Sequence, residues 1–150
     1  MGVVVVGVDG SKGSIEALRF AIGEARLHGA QVKAVSAWLI PPIAYEATWG
    51  GMSIDRDVYS KAAQDALTRC LEETGAAGSG VELTTVVREG QAAEVICEEA
   101  NGADLLVVGS RGFGGFRGLL LGSVSQQCAH RAPCPVVIVP DRATESHKAS

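Results

Sequence analysis

The sequence predicts an α/β fold: a single doubly wound domain, a parallel sheet with helices on both faces. Three observations carry this reading. Apolar runs of strand length alternate with stretches whose apolar residues recur at helical spacing. The first run, VVVVGV at 3–8, is continuously apolar and β-branched, as expected of a strand covered on both sides. The length of 150 residues, 47% hydrophobic and 20% charged, suits one globular domain.

The elements follow in order. After the first strand, Ser11 offers an N-cap, and Ile15, Leu18, Ile22 and Ala25 mark a helix stopped by Gly29. QVKAVSAWL is a second strand. Residues 40–53, IPPIAYEATWGGMS, read as a long Pro/Gly/aromatic loop, a candidate lid. Asp55 caps a long helix with Ala63, Leu67 and Leu71 in one apolar row and Ala66 and Cys70 in the next. VELTTVV is strand three. Ala92, Val95, Ile96 and Ala100 define a short helix closing at Asn101-Gly102, and DLLVVG at 104–109 is strand four. A glycine-rich loop leads to a helix over 123–131, PVVIVP at 135–140 is strand five, and residues 141–150 form a polar tail expected to be disordered. Residues 1–140 thus form one domain, with no internal repeat or linker.

Composition excludes several function classes. A net charge of −4 argues against general affinity for nucleic acid, so an anion site must be local. The apolar start lacks a basic leader and meets Asp9 at once, which reads as a strand and not a signal peptide. Val6 stands where myristoylation wants Ser or Thr, and no run approaches the ~18 apolar residues of a membrane span. Cys70, Cys97, Cys128 and Cys134 form no CxxC, and the three histidines have no metal-like spacing. They read as core thiols left free, which gives a cytoplasmic address and no metal site built from side chains alone.

The glycine loop is the chemical signal. Of the 19 glycines, six fall in the stretch from Gly109 to Gly122. Without Cβ atoms, backbone N–H groups can point into a concavity and bind an anion. The helix opening at Gly122-Ser123 adds its free amides and dipole, and the Ser123 hydroxyl either donates to a phosphate or caps that helix. No Asp or Glu occurs from Leu105 to Pro140, while Arg111, Arg117 and Arg131 do. In open α/β sheets ligands sit beyond the strand C-termini where the winding reverses, so Asp9 and Gly109 share one crevice if the reversal falls between strands one and four.

The common phosphate motifs fail. Walker A requires a Gly-Lys pair, and none occurs; GxGxxG breaks at Arg117. What fits is Gly109-x2-Gly112-x9-Gly122-Ser123. With VVVGVDGS before it, DLLVVGSRG and LLLGSVS on its flanks and PCPVVIVP at the end, the sequence resembles the ATP-binding branch of the universal stress protein family over residues 2–140.

That resemblance implies strand order 3-2-1-4-5 and ATP at the reversal. It implies that Asp9 lies near the ribose and the triphosphate or its Mg2+, with Val8 and Gly10 lining the turn. The Ala37 main chain meets the adenine edge; Gly109, Arg111 and Gly112 line the ribose and phosphate side; Gly122, Ser123, Val124 and Ser125 hold phosphates. It also implies a homodimer through the last strand, Pro135 to Pro140, whose apolar edge invites pairing.

Plainer roles stand beside these. Asp9 caps or braces its turn, Arg117 is a loop charge, and Trp38, Tyr45 and Trp49 are packing or lid residues. The Glu pairs at 72–73 and 98–99 are exposed helix faces. A Cβ at Gly122 is expected to obstruct the turn, whereas one at Gly115 is not. The leading functional reading is a nucleotide-binding regulatory module with unnamed protein partners and little or no turnover. The alternatives are a slow ATPase or nucleotidyl-transfer enzyme, a module for AMP or cyclic AMP, and a ligand-free interaction module. Asp9 is the only acid expected in the crevice, which argues against the enzyme.

Overall fold

A computed structural model of the chain describes residues 2–46, 53–112 and 121–140. The elements are β1 (Val3–Gly7), α1 (Lys12–His28), β2 (Gln31–Trp38), α2 (Pro42–Glu46), α3 (Arg56–Thr74), a 3₁₀ turn (Ala76–Gly78), β3 (Leu83–Glu89), α4 (Ala92–Glu99), β4 (Leu105–Gly109), α5 (Ser123–Arg131) and β5 (Val136–Val139). The five strands form one sheet in order β3-β2-β1-β4-β5, every pair parallel.

Side-chain alternation assigns the two faces. Val4 and Val6 of β1, Val32 and Ala34 of β2 and Val107 of β4 pack with Leu18, Ala21 and Ala25 of α1 and Leu67 and Cys70 of α3. Val5, Val35, Leu106 and Val108 point the other way, onto Ala93, Val95 and Ile96 of α4 and Cys128 of α5. The chain winds outward from β1 through α1 and α3, then returns to β4 through α4. Crossovers of one hand place helices on opposite faces when the direction reverses. The reversal therefore lies between β1 and β4, which pair directly.

Local chemistry sets the helix ends. Ser11 Oγ accepts from Ser14 N at 3.2 Å to cap α1, and Gly29 ends it in the left-handed region at φ 65°. Asp55 caps α3 by accepting from Asp57 N, and Gly75 closes it at φ 66°.

Three expectations need correction. The 40–53 stretch contains a one-turn helix, α2, and Arg56 lies over the Trp38 ring at 5.6 Å. Strand three starts and ends two residues later than its apolar run, because β3 follows β2 out to Trp38↔Glu89. Glu99 is not an exposed helix-face charge: it is half-buried, 2.9 Å from both Lys33 Nζ and Arg88 Nη1. The tail 141–150, Arg117, Trp49 and Gly115 lie outside the described residues, and among those described no helix is long and apolar enough to cross a membrane.

Candidate functional site

At the C-terminal end of the sheet a cleft of about 370 Å³ opens above the reversal. Ten of the eleven residues singled out in the sequence line it: Val8, Asp9, Ala37, Gly109, Arg111, Gly112, Gly122, Ser123, Val124 and Ser125. Gly10 does not. It sits at φ 89°, the turn position that lets the chain leave β1 for α1.

Two edges of the cleft carry backbone groups that have no partner among the described residues. β2 overruns β1: their ladder ends at Gly7↔Val35, and Val8 N donates to Val35 O at 2.8 Å. Val35 therefore turns its backbone groups toward β1, whereas Trp38 O accepts from Gly90 N on the β3 side. Backbone directions alternate along a strand, so Ala37 turns its N–H and C=O toward β1, which has already ended. That leaves a donor and an acceptor side by side on the cleft wall. The second edge is the start of α5, whose N-cap is Gly122 and which has no side-chain cap. Its first-turn amides and positive dipole end open onto the cleft.

The glycine loop is tied at its neck. Ser110 O accepts from Gly122 N at 2.6 Å and from the buried Ser125 hydroxyl at 2.9 Å, and Ser110 N donates to Val139 O. Two corrections follow. The Gly122 amide is spent on the neck and does not face an anion. Ser123 is the first residue inside the helix, exposed, and not its cap.

The signature glycines serve different needs. A Cβ on Gly109 would stand 2.7 Å from Gly13 O and 2.8 Å from Gly13 C, and one on Gly13 would strike Arg111 O. One on Gly112 would strike Asp9 Oδ2. At Gly122 the nearest atoms are Arg111 Cα and Ser110 O at 3.4 Å, ordinary contact, and its φ of −74° suits any residue. The expected obstruction by a single Cβ at Gly122 is thus absent.

Among the described lining residues Asp9, which is exposed, is the only acid and Arg111 the only base. Asp9 Oδ1 accepts from Ser11 N at 2.8 Å, the bracing role, while Oδ2 lies beside Gly112. Residues not singled out from the sequence form the floor and walls: Gly7, Ser11, Ser14, Val35, Ala92, Ile96 and Val108. Most read as core. The available signal was Gly7, a glycine inside a valine run, where a Cβ would meet Ile96 Cδ1 at 2.7 Å. Among the described residues no group of three or more His, Cys, Asp or Glu is placed to hold a metal ion.

The sequence model described as "Universal stress protein family" matches residues 1–140. A universal stress protein of Mycolicibacterium smegmatis is 36% identical over 148 residues, covering 93% of this chain and 46% of its own. Universal stress protein MJ0531 of Methanocaldococcus jannaschii is 33% identical over 138 residues, covering 91% and 80%. The chain therefore spans about half the length of the mycobacterial relatives it matches. A solved universal stress protein in complex with cAMP superposes with a TM-score of 0.64 at 28% identity, over 92% of this chain and 95% of its own.

Proposed function

The chain belongs to the universal stress protein family, and we propose that its cleft binds an adenine nucleotide, ATP with Mg2+ foremost, as a regulatory module with little turnover. The observation that carries this is the pairing of these two backbone edges across one cleft. The adjacent N–H and C=O of Ala37 match the N1 acceptor and N6 donor on the edge of adenine, and reject a base that presents the opposite order. The open amides of Ser123, Val124 and Ser125 suit phosphate, and Arg111 lines the same cleft.

Asp9 fits a Mg2+ held mainly by the nucleotide. With Oδ1 accepting from Ser11 N, Oδ2 is the atom that would hold the ion, which would offset the phosphate charge. A lone carboxylate so placed orients a metal-nucleotide but leaves no second group to activate an attacking water. Slow or absent hydrolysis follows.

The cAMP complex of the 28%-identical neighbour favours a second reading, a module for AMP or cyclic AMP, in which the Ala37 contact is shared and the phosphate count differs. β5 is the sheet edge beyond β4, with Val136, Val137 and Ile138 only half-buried, and we assign the homodimer contact to it. Free thiols suit a cytoplasmic protein.

The test is to denature the purified protein, identify any released nucleotide by mass spectrometry, and titrate the stripped protein with ATP, AMP, cyclic AMP and GTP. Micromolar or tighter ATP binding with GTP excluded supports the reading. Preference for AMP or cyclic AMP selects the second, and equal affinity for GTP and ATP refutes the Ala37 assignment.

A further inference from the structure

Gly13 stands outside the glycine signature, in the first turn of α1, yet the first residues of the glycine loop lie against it. Its φ is not in the left-handed region, so its backbone conformation suits any residue. Glycine there costs helix propensity and gains nothing in conformation. What it supplies is close approach. A Cβ on Gly109 would meet Gly13 O at 2.7 Å, and a Cβ on Gly13 would strike Arg111 O. A Cβ on Gly112 would strike Asp9 Oδ2, while Asp9 Oδ1 accepts from the N–H of Ser11, the α1 cap. Residues 109–112 therefore lie along the turn from Asp9 to Gly13, and Asp9, Arg111 and Gly112 all line the cleft.

We propose that Gly13 is a positioning residue for the phosphate side of the cleft: its missing side chain sets where the Arg111 carbonyl, and with it Gly112, sits against Asp9. The effect on binding rests on the nucleotide reading above; the contact itself does not. A methyl group at position 13 meets one obstacle. Beyond Arg111 O its nearest neighbours would be Arg111 C at 3.6 Å and Ser11 Oγ at 3.8 Å, both ordinary contacts. Either α1 or the loop must give way to it.

The helix is the firmer of the two. Ala17, Leu18, Ala21 and Ala25 hold it at 0% exposure, and Ser11 caps it. Arg111 lies past the end of the β4 ladder, which stops at Gly109↔Val139. The carbonyl therefore yields. It belongs to the planar Arg111–Gly112 peptide, so its displacement tilts the Gly112 N–H and shifts Gly112 against the Asp9 carboxylate. Contacts to phosphate and to its counter-ion are disturbed together. The Ala37 edge is not, because β2 and β4 lie on opposite sides of β1.

The test compares the full chain as wild type, Gly13→Ala and Gly23→Ala, the last in the same helix with nothing within 4 Å of its Cβ. Backbone amide spectra without nucleotide should show Arg111 and Gly112 shifted in Gly13→Ala with Ala37 in place, and none of the three shifted in Gly23→Ala. By calorimetry Gly13→Ala should bind ATP about ten- to hundredfold more weakly, the loss of one charge-assisted hydrogen bond. Adenosine, which carries no phosphate, should bind it as it binds the wild type, read by titration in the same amide spectra. Gly23→Ala should match the wild type for both ligands. Undiminished ATP affinity in Gly13→Ala overturns the proposal. So does an equal loss for adenosine and ATP, which marks a general loss of structure. A Gly13→Ala chain that fails to fold also overturns it, since the helix and not the loop has then yielded. A wild type that binds neither ligand refutes the nucleotide reading instead, and the amide shifts still judge the Gly13 contact.

Discussion

Gly109→Ala tests whether the first signature glycine serves packing or ligand. The added Cβ would stand 2.7 Å from Gly13 O, 2.8 Å from Gly13 C and 3.2 Å from Gly13 Cα, all backbone atoms in the first turn of α1. Backbone cannot rotate away as a side-chain tip does, so α1 must lift from β4 by several tenths of an ångström. That helix carries Ala17, Leu18, Ala21 and Ala25 at 0% exposure, and the lift loosens all of them. Overpacking of this kind costs about 1–3 kcal/mol. For a chain of this size each kcal/mol moves Tm by about 2–4 °C, so a fall of roughly 2–12 °C is expected. Gly23→Ala is the control: mid-α1, with nothing within 4 Å of its Cβ, it should gain about 0.5–1 kcal/mol and raise Tm. Thermal unfolding followed by circular dichroism, without nucleotide, reads both. If Gly109→Ala melts with the wild type while Gly23→Ala melts higher, the packing account is refuted and the ligand account takes its place.

Gly122→Val should melt within a few degrees of the wild type, since φ there is −74°. Its extra methyls crowd the neck, and displacing one first-turn amide, at roughly 1.5–3 kcal/mol, should weaken ATP binding about ten- to hundredfold in calorimetry. Asp9→Asn keeps an oxygen for the Ser11 amide but removes the charge, so ATP should bind more weakly with Mg2+ and no more weakly in chelator. Lys33 and then Arg88 hold the Glu99 carboxyl below the usual carboxylate range. A depressed carboxylate stabilises the fold above its unfolded pKa of about 4.3 and loses that stabilisation as pH falls through the lower folded value. Glu99→Gln should therefore lower Tm at neutral pH and change it little in acid well below that value. Val137→Lys should shift the proposed β5–β5 dimer toward monomer in analytical ultracentrifugation; a wild type that is monomeric at micromolar concentration refutes that interface.

The sheet was legible where a strand's pattern matched its burial. The β-branched run of β1 is covered on both faces, with Val4, Val5 and Val6 at 0% exposure. β3 is an edge strand, and there the apolar run and the strand part company. Arg88 and Glu89 fall beyond the apolar run, yet they remain in the ladder because β2 continues beside them to Trp38. Glu99 was misread for a related reason. Its partners, Lys33 on β2 and Arg88 on β3, lie 66 and 11 residues away, and no helical spacing announces a partner on another element.

The glycines set the limit of what spacing can say about the site. Gly109 is needed because α1 lies on it, Gly112 because the Asp9 carboxylate does, and Gly122 has room for a methyl in the structure as it stands. In a sequence all three look alike, since a missing side chain records only that something approaches and not what. The same holds for the Gly122-Ser123 boundary, where both residue types favour N-caps and only the extended backbone of Gly122, whose C=O accepts the first helical bond from Gln126 N, decides between them. The motif therefore located the cleft through residues that mostly build its frame. The groups best placed to hold a ligand are backbone ones, the Ala37 edge and the first amides of α5, and their readiness comes from where β1 stops and where α5 starts. Strand overrun and helix onset are facts of topology. A motif carries them only by association, and for that reason the decisive substitutions are those that separate frame from contact, Gly109→Ala against Gly122→Val.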